Sequence, residues 1–271
     1  MDHLFSHLDK LKEDIKNKFV LLFLDYDGTL TPIVRDPDRA VMPGRTRETL
    51  RRLSENPDCR IAVISGRALK DVRHRVGLGG VIYAGNHGLE MEGPRIKFRA
   101  PVTLSYKAAL KEIKRALSKK FSRVKGVFVE DKGLTLTLHY RSADKKVIPA
   151  VKTIFRETVM SYLVGGGIRI GVGKMSFEVR PSLEWDKGKM VLWLLARRKF
   201  MLGTRPFIAF YIGDDTTDED AFRALRNRGV GVFVGGPKAS LARYRLNNSA
   251  EAAGFLRQVL KLKEGAGICR N

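Results

Sequence analysis

Two carboxylates separated by one residue follow an apolar, β-favouring run near the start of the chain. Residues 19–24 form the run, Asp25 and Asp27 follow it, and Gly28 comes directly after them. Side chains at positions i and i+2 of an extended segment point to the same side, and glycine lets the backbone turn without steric cost. The two acids therefore leave a predicted buried strand together, at the edge where open α/β sheets bind ligands. An acidic surface loop is the alternative interpretation.

A second apolar strand candidate, residues 207–212, runs into a longer acidic stretch that begins at Asp214 and ends at Asp220. Carboxylates from two strand ends indicate a site for a hard cation with oxygen ligands, and Mg²⁺ is the expected occupant. The acids at 218–220 could instead cap the helix that follows them and favour its first turn. Both interpretations can hold together, with Asp218 at the helix and Asp214 facing the metal.

Length and composition indicate a soluble globular chain. The 271 residues, 44% of them hydrophobic and 30% charged, suffice for one large or two modest domains. No apolar run approaches the roughly 20 residues that a membrane span requires. Leu4, Leu8, Leu11 and Ile15 recur at helical spacing among charges, which predicts an amphipathic helix and not a signal peptide. Two cysteines argue against a disulfide framework and favour the reducing cytoplasm.

The net charge of +22 raises nucleic-acid binding as a rival function. The lysines and arginines are spread along the whole chain, however, and are not gathered in a tail or interleaved with aromatic residues. Such a distribution favours a solvated surface that attracts small anionic substrates. We therefore expect no specific nucleic-acid partner and no membrane partner, and only weak, salt-sensitive association with nucleic acids.

Strand and helix patterns alternate at both ends of the chain, which predicts a Rossmann-like parallel sheet flanked by helices. The predicted strands are 20–24, 60–65, 81–84, 207–212 and 230–234. The predicted helices are 45–54, 69–76, 187–199, 219–225 and 252–262.

The middle of the chain has a different order of predicted elements, which is helix–hairpin–helix–hairpin. Helices are predicted at 106–117 and 151–163, a first hairpin turns at Asp131-Lys132-Gly133, and a second turns at Gly171-Val172-Gly173. The pattern indicates an antiparallel sheet backed by two helices. We predict an inserted α/β cap domain at 104–181 and a core formed by 1–103 and 182–271. An insertion above the strand ends is well placed to act as a lid.

Two further side chains fall near the predicted edge of the parallel sheet. Ser65 closes the second strand, where its hydroxyl and the following N–H groups could hold a phosphoryl oxygen; it could equally cap the helix that starts near Leu69. Lys187 opens a helix, where a cation opposes the helix dipole, so a functional role is favoured. Lys189, two residues later, is interpreted as a surface charge.

These residues together describe a phosphoryl-transfer site. Asp25 would be the nucleophile that forms an aspartyl-phosphate beside Mg²⁺. Asp27 would protonate the leaving alkoxide and later deprotonate water. Ser65 and Lys187 would neutralise charge on the phosphoryl oxygens. Asp214 would ligate the metal, with Asp218 as a further ligand or as a support for the others.

The motifs, in this order, resemble the haloacid dehalogenase (HAD) superfamily of phosphatases, and the inserted block is similar to that superfamily's larger α/β cap. Longer stretches resemble, more narrowly, the trehalose-6-phosphate phosphatase family. The stretches are Ile64-Ser65-Gly66-Arg67, Ala84-Gly85-Asn86-His87-Gly88-Leu89-Glu90, Gly173-Lys174-x-x-x-Glu178-Val179-Arg180-Pro181, Asp186-Lys187-Gly188, residues 211–222 and Asn247-Asn248-Ser249-Ala250. Nearly the whole chain beyond the N-terminal helix is covered.

The resemblance implies Mg²⁺-dependent hydrolysis of trehalose 6-phosphate, a small-molecule substrate, by a phosphatase without a synthase domain; we expect a monomer. The implied catalytic residues are Asp25, Asp27, Ser65 and Lys187. The implied metal ligands are Asp25, Asp27, Asp214 and Asp218. The implied substrate-binding residues are Gly66, Arg67, Asn86, His87, Lys174, Glu178 and Arg180.

Three alternative functions remain open from the sequence, and one of them is nucleic-acid binding, which rests on the net charge alone. The chain could hydrolyse another sugar phosphate, such as sucrose phosphate or mannosyl-3-phosphoglycerate. It could be a binding protein that kept the fold without turnover, although every expected catalytic position is filled. Finally, Lys174 and Glu178 could form a structural salt bridge and not a sugar-binding pair.

Overall fold

The computed structural model describes residues 1–34, 37–173, 175–202 and 205–268. The chain divides into two compact units: unit 1 comprises Met1–Arg99 and Trp185–Asn271, and unit 2 comprises Ala100–Glu184. Unit 2 is therefore one continuous stretch that interrupts unit 1.

The secondary structure alternates between strands and helices along both units. The strands are β1 (Asp2–His3), β2 (Phe19–Asp25), β3 (Cys59–Ile64), β4 (Ile82–Gly85), β5 (Glu90–Gly93), β6 (Ile96–Arg99), β7 (Phe128–Asp131), β8 (Leu136–His139), β9 (Ile168–Gly173), β10 (Ser176–Pro181), β11 (Phe207–Gly213), β12 (Val230–Val234) and β13 (Tyr244–Leu246). The α-helices are α1 (Leu8–Asn17), α2 (Gly44–Glu55), α3 (Leu69–Val76), α4 (Leu104–Phe121), α5 (Ile148–Val164), α6 (Lys187–Leu202), α7 (Glu219–Leu225) and α8 (Ser249–Ile268). Short 3₁₀ turns lie at Leu4–His7, Pro37–Arg39, Asn86–Gly88 and Thr216–Asp218.

Unit 1 is built on one sheet that has nine strands within the described residues, in the order β1-β13-β12-β11-β2-β3-β4-β5-β6. The pairs from β1 to β4 in this order are parallel, and β2 lies between β11 and β3. Strands β5 and β6 extend the edge in antiparallel fashion. The predicted parallel sheet is confirmed, while β1, β5, β6 and β13 were not predicted because they are short and weakly apolar.

Strand β2 explains why both faces of this sheet carry helices. Its even-numbered residues, such as Leu22, pack in a cluster with α1, α2, α3 and α8. Its odd-numbered residues, such as Phe23, pack in a second cluster with α6 and α7. Every residue of β2 is buried, as expected for a central parallel strand covered on both faces. The same alternation sends Asp25 to the face that carries α6 and α7.

Unit 2 contains an antiparallel sheet in the order β7-β8-β10-β9, with α4 and α5 packed against one face. Phe155 of α5 stacks on Phe177 of β10 with 4.6 Å between ring centroids. Thr103 caps α4, because its hydroxyl accepts a hydrogen bond from the N–H of Tyr106 at 3.1 Å. The predicted helix–hairpin–helix–hairpin order is confirmed.

The predicted turn at Gly171-Val172-Gly173 is wrong. These residues continue β9, where Gly171 pairs with Glu178 and Gly173 pairs with Ser176. The turn lies after the end of β9 and includes Met175, whose φ is 65°. The glycines were mistaken for turn residues, but they continue the strand pairing, and Nε of Arg180 lies 3.4 Å from where a Cβ of Gly171 would be.

Two further expectations concern membranes and cysteines. None of the helices in the described residues has the length and apolar character needed to cross a membrane. Cys59 is buried as a free thiol, and burial raises its pKa to about 12. Cys269 lies outside the described residues. The predicted N-terminal helix is α1, which buries Leu11 and Ile15.

Candidate active site

The ammonium of Lys187 joins two carboxylates that are distant in the sequence. Its Nζ donates to Oδ1 of Asp25 at 2.6 Å and to Oδ1 of Asp218 at 2.7 Å. Asp25 ends β2, Lys187 begins α6, and Asp218 ends the turn that follows β11. Lys187 is only 3% exposed and Asp25 only 6%. The lysine at the start of this helix therefore belongs to a buried ion-pair network, which explains its unfavourable position relative to the helix dipole.

Asp214 brings a third carboxylate to the same place. One ligand atom from each of Asp25, Asp214 and Asp218 lies within 4.8 Å of the others. Gly28 makes the approach possible, because a Cβ at Gly28 would overlap the carboxylate of Asp214. Gly28 also has a φ of 85°, a conformation that glycine adopts without strain. The predicted convergence of acids from two strand ends is therefore present in the structure.

Burial and charge act together on these groups. Burial is the largest influence on Asp25 and raises its pKa well above the usual range; Lys187 opposes the shift, while Asp218 and Asp214 add to it. Burial would lower the pKa of Lys187, but the carboxylates of Asp218 and Asp25 outweigh it and raise that pKa. One ammonium thus contacts two of the three clustered acids. A divalent cation among the acids would relieve their mutual repulsion.

The acid set fits a hard divalent cation. Three carboxylates with oxygens this close match the all-oxygen donor set that Mg²⁺ and Ca²⁺ prefer, and the missing Cβ at Gly28 is what admits the third of them. Asp27 does not belong to this cluster, although it was expected among the metal ligands. Both oxygens of its carboxylate instead accept hydrogen bonds from an arginine.

Asp218 also has two partners that hold it in place. The hydroxyl of Tyr211 donates to its Oδ1 at 2.6 Å, and the backbone N–H of Asp215 donates to its Oδ2 at 2.9 Å. Asp215 in return accepts from the N–H of Thr216 at 2.7 Å and forms a capping box with Asp218. Asp218 stands at the N-cap of α7 but makes no side-chain cap hydrogen bond there. Its side chain instead closes the preceding turn and contacts Lys187, while Glu219 and Asp220 occupy the first turn of α7 as expected.

Asp27 forms a two-point ion pair with Arg67. The guanidinium Nε donates to Oδ2 at 2.8 Å and Nη2 donates to Oδ1 at 2.7 Å. Arg67 is held in turn by Asp71, which accepts from its Nη1 at 3.0 Å. Arg75, one turn further along α3, donates to both oxygens of Asp71 at 2.8 and 2.9 Å. Alternating charges thus fix the orientation of the Asp27 carboxylate.

Ser65 lies immediately after β3, beside the end of β2, because Asp25 pairs with Ile64. Its side chain is buried, and its Oγ accepts from the N–H of Arg67 at 3.1 Å. The alternative role as a helix cap is wrong: Ala68 is the N-cap of α3, and no side chain caps that helix. The hydroxyl and the N–H groups of this loop are therefore a possible anion-binding arrangement.

The predicted substrate residues Gly66, Asn86 and His87 lie around the same loop. A Cβ at Gly66 would come within 2.6 Å of Nε2 of His87. Asn86 is fully buried and donates to Oε2 of Glu90 at 3.0 Å. This hydrogen bond holds the turn, and the substrate-binding role of Asn86 stays a prediction.

Unit 2 gathers polar side chains on the sheet face opposite its helices. Glu130, Thr137, Glu178 and Gly171 stand side by side across the four strands. Glu178 accepts from Lys132 at 3.4 Å and from Thr135 at 3.3 Å, and it is also paired with Arg180. His139 contacts Glu130 at 2.7 Å and stacks on Phe128 with 4.7 Å between centroids. Lys174 lies outside the described residues.

Sequence reasoning missed four members of these networks. Tyr211 was predicted as a strand residue, Asp71 and Arg75 only as part of the helix 69–76, and Lys132 as part of a turn. The spacing of Asp71 and Arg75 by four residues was a usable signal, since such residues are neighbours on a helix. Tyr211 was included only as the first residue of the stretch 211–222 that carries the family resemblance, and nothing in the local sequence marked Lys132.

Comparisons with known proteins agree with this geometry. The sequence model of a family described as Trehalose-phosphatase matches residues 23–250. Trehalose 6-phosphate phosphatase RA3 of Zea mays is 37% identical over 277 residues, which cover 96% of this chain and 75% of that protein. The solved C-terminal domain of C. albicans trehalose-6-phosphate phosphatase has a TM-score of 0.77 and 27% identity, covering 94% of this chain and 97% of that chain. A haloacid dehalogenase-like hydrolase from Bacteroides thetaiotaomicron, at 17% identity and a TM-score of 0.63, covers 89% of this chain and 100% of that one and is alike in fold.

Proposed function

The chain belongs to the trehalose-phosphatase family, and on that premise we propose that it hydrolyses trehalose 6-phosphate to trehalose and inorganic phosphate. The relatives named above carry that substrate in their names. The observation that supports the proposal most is the buried contact of Lys187 with Asp25 and Asp218 beside Asp214. Phosphoryl transfer requires a nucleophile, a cation and a set of carboxylates that can hold a metal ion.

We propose Mg²⁺ as the metal, held by Asp25, Asp214 and Asp218. When bound, the ion would supply positive charge that offsets the charge on the phosphoryl oxygens. The carboxylate of Asp27 is engaged by Arg67, so we assign it proton transfer and no longer count it among the carboxylate ligands.

In the proposed reaction an oxygen of Asp25 attacks phosphorus, and the bond from phosphorus to the sugar oxygen breaks. Oδ1 of Asp25 accepts from Lys187, so Oδ2 is the oxygen left for attack. Water then attacks the aspartyl-phosphate, the bond from phosphorus to the Asp25 oxygen breaks, and the carboxylate is regenerated. Lys187 keeps a positive charge beside the reacting oxygens throughout, because its pKa is raised.

Asp27 would give a proton to the departing sugar oxygen in the first step and take one from the attacking water in the second. Both its oxygens accept from Arg67, so at least one of those hydrogen bonds has to break during turnover. Arg67 would then be available to a phosphoryl oxygen. The hydroxyl of Ser65 would donate to the phosphoryl group as well.

We propose that the polar sheet face of unit 2 binds the sugar. Its Glu130, Lys132, His139, Glu178 and Arg180 supply donors and acceptors for hydroxyl groups, and the exposed ring of Phe128 offers an apolar surface for a sugar ring. Lys174 is retained in this role from the sequence. We also propose a cytoplasmic location, which the scarcity of cysteine supports, and a monomeric state, which light scattering would test.

The experiment is a phosphate-release assay on the full chain with trehalose 6-phosphate, sucrose 6-phosphate and glucose 6-phosphate. We expect turnover of trehalose 6-phosphate to exceed that of the other two, to require Mg²⁺ and to be abolished by EDTA. Asp25→Asn should remove activity, while Asp9→Asn on the exposed side of α1 should not. Equal turnover of all three substrates would reject the sugar specificity, and full activity of Asp25→Asn would reject the mechanism.

A further inference from the structure

Trp185 connects two parts of the site through a hydrogen bond from its side chain to the backbone. Its indole Nε1–H donates to the carbonyl oxygen of Gly88 at 2.8 Å. Trp185 stands two residues before Lys187, the first residue of α6. Its ring stacks on Phe98 with centroids 4.9 Å apart and planes at 23°. The start of the helix that carries Lys187 is therefore attached to the turn that contains Gly88.

That turn has an unusual backbone. Asn86, His87 and Gly88 have φ values of 50°, 57° and 93°, and the left-handed region is uncommon for residues other than glycine. Two consecutive residues of this kind persist only where the surrounding structure holds them, and such conformations cluster at functional sites.

The turn supports the loop that carries Ser65. The N–H of His87 donates to the carbonyl oxygen of Ser65 at 2.9 Å, and the N–H of Asn86 donates to that of Arg67 at 2.7 Å. Both ends of the three-residue loop are therefore attached to the left-handed pair. A displacement of the turn would move the Ser65 hydroxyl and the Arg67 guanidinium together.

Packing leaves the turn little room on the side of α6. A Cβ at Gly88 would lie 3.0 Å from Cβ of Met190, one turn into α6. On the other side, the ring of His87 occupies the space that a side chain at Gly66 would need. The turn is thus held between the Ser65 loop and α6, and the indole of Trp185 supplies the directional bond across that contact.

We propose that Trp185 is a positioning residue for phosphoryl transfer. Its N–H fixes the turn at Gly88 relative to the first turn of α6, and so sets the Ser65 hydroxyl relative to the Lys187 ammonium. The proposal rests on the proposed function only in taking those two groups as the ones that bind the phosphoryl oxygens. It needs no particular sugar.

The test uses Trp185→Phe, which retains a ring against Phe98 and removes only the N–H donor. Trp193→Phe is the matched control: Trp193 also contacts Phe98, at 5.2 Å, and its indole donates no hydrogen bond within the described part of the chain. We expect kcat to fall about five- to tenfold in Trp185→Phe, as loss of one neutral hydrogen bond predicts, with KM changed less than twofold. Both constants should stay within twofold of wild type in Trp193→Phe.

A second variant separates the hydrogen bond from the stacking. Phe98→Leu removes the stacked ring and leaves the indole N–H in place, so kcat should fall less than in Trp185→Phe. If Phe98→Leu loses as much kcat as Trp185→Phe, or if Trp193→Phe does, general packing explains the effect and the proposal is overturned. Wild-type kcat in Trp185→Phe overturns it directly.

A binding measurement makes the test independent of turnover. The chain has two tryptophans, so Trp193→Phe leaves Trp185 as the sole fluorophore and Trp185→Phe leaves Trp193. With orthovanadate and Mg²⁺ as the probe, we expect emission to change in Trp193→Phe and to stay constant in Trp185→Phe. A silent Trp185 would overturn the proposal.

Failure of the proposed function has a different signature. If the wild type released no phosphate from trehalose 6-phosphate, the same kcat comparison would be made with p-nitrophenyl phosphate, and the vanadate titration would be unaffected. The loss in Trp185→Phe would then still be expected, whereas an unchanged rate would refute the positioning role alone.

Discussion

Arg67 forms a two-point ion pair with Asp27, with Nε 2.8 Å from Oδ2 and Nη2 2.7 Å from Oδ1. Such a fork matches the planar geometry of a carboxylate, which a lysine cannot reproduce. Because Asp27 follows Asp25 by two residues, the pairing fixes the second acid of the motif relative to the first.

Arg67→Lys should therefore slow the chemistry. We expect kcat for phosphate release to fall about 10- to 100-fold, the equivalent of one charged hydrogen bond. Arg73→Lys is the control, since Arg73 makes an exposed ion pair with Glu92 at 2.8 Å, and exposed pairs contribute little. An Arg67→Lys enzyme with wild-type kcat would show that the two-point contact has no part in turnover.

Metal binding should be visible without any substrate. A ligand that binds only the folded state raises the melting temperature, so Mg²⁺ should raise that of the wild type. Asp214→Asn should abolish most of the shift, because it removes one of three clustered carboxylates. Asp220→Asn, which removes only an exposed partner of Arg223, should keep it. Equal shifts in both variants would contradict the assigned ligands.

Asp71 should make stability depend on acid pH. Burial would raise its pKa, but hydrogen bonds from Arg75 and Arg67 outweigh burial and lower the pKa. A lowered pKa means that the unfolded chain binds more protons, so the stabilisation is complete above the unfolded value of about 3.9 and is lost as pH falls through the folded value. The difference in free energy of unfolding between wild type and Asp71→Asn, measured with urea, should therefore shrink below about pH 4. A difference that stays constant from neutral to acid pH would contradict this.

Helix α4 carries a row of like charges. Lys107, Lys111, Arg115 and Lys119 follow one another at intervals of four, all exposed, and none of them pairs with an acid in the described part of the chain. Lys111→Glu would replace two repulsions by two attractions, so the free energy of unfolding should rise by about 0.5–1 kcal/mol at low salt. The gain should disappear at about 1 M salt. Lys111→Gln should give about half the effect, and no gain in Lys111→Glu would refute the argument.

The parts of the site that the sequence predicted are those that depend on strand ends. Asp25 and Asp214 could be placed together because the carboxyl ends of parallel strands meet at one edge of the sheet. Lys187 could be placed with them because a cation at a helix N-terminus opposes the helix dipole, which favours a functional role. The resemblance to a family added the order in which these residues follow one another along the chain. The fold then brings them together in space.

The parts that were missed depend on side-chain direction across long separations. The pairing of Asp27 with Arg67 spans 40 residues, and the bond from Trp185 to Gly88 spans 97. Neither contact follows from the spacing of residues in the sequence. Each depends on the side-chain rotamers of the two partners and on the left-handed turn at Asn86. Likewise, the contacts of Glu178 with Lys132 and Arg180 were not predicted, and the pairing of Glu178 with Lys174 stays a prediction because Lys174 lies outside the described residues.

The interruption of unit 1 by unit 2 bears on how the protein is made. β2 emerges from the ribosome early, but its neighbour β11 and the lysine that meets Asp25 come much later, the latter 162 positions down the chain. Unit 2 is continuous and can fold as soon as it has been synthesised, whereas the exposed apolar edge of β2 has to wait. Nascent chains stalled before residue 207 should therefore engage chaperones through this strand, and the site cannot assemble before Asp218 has been synthesised.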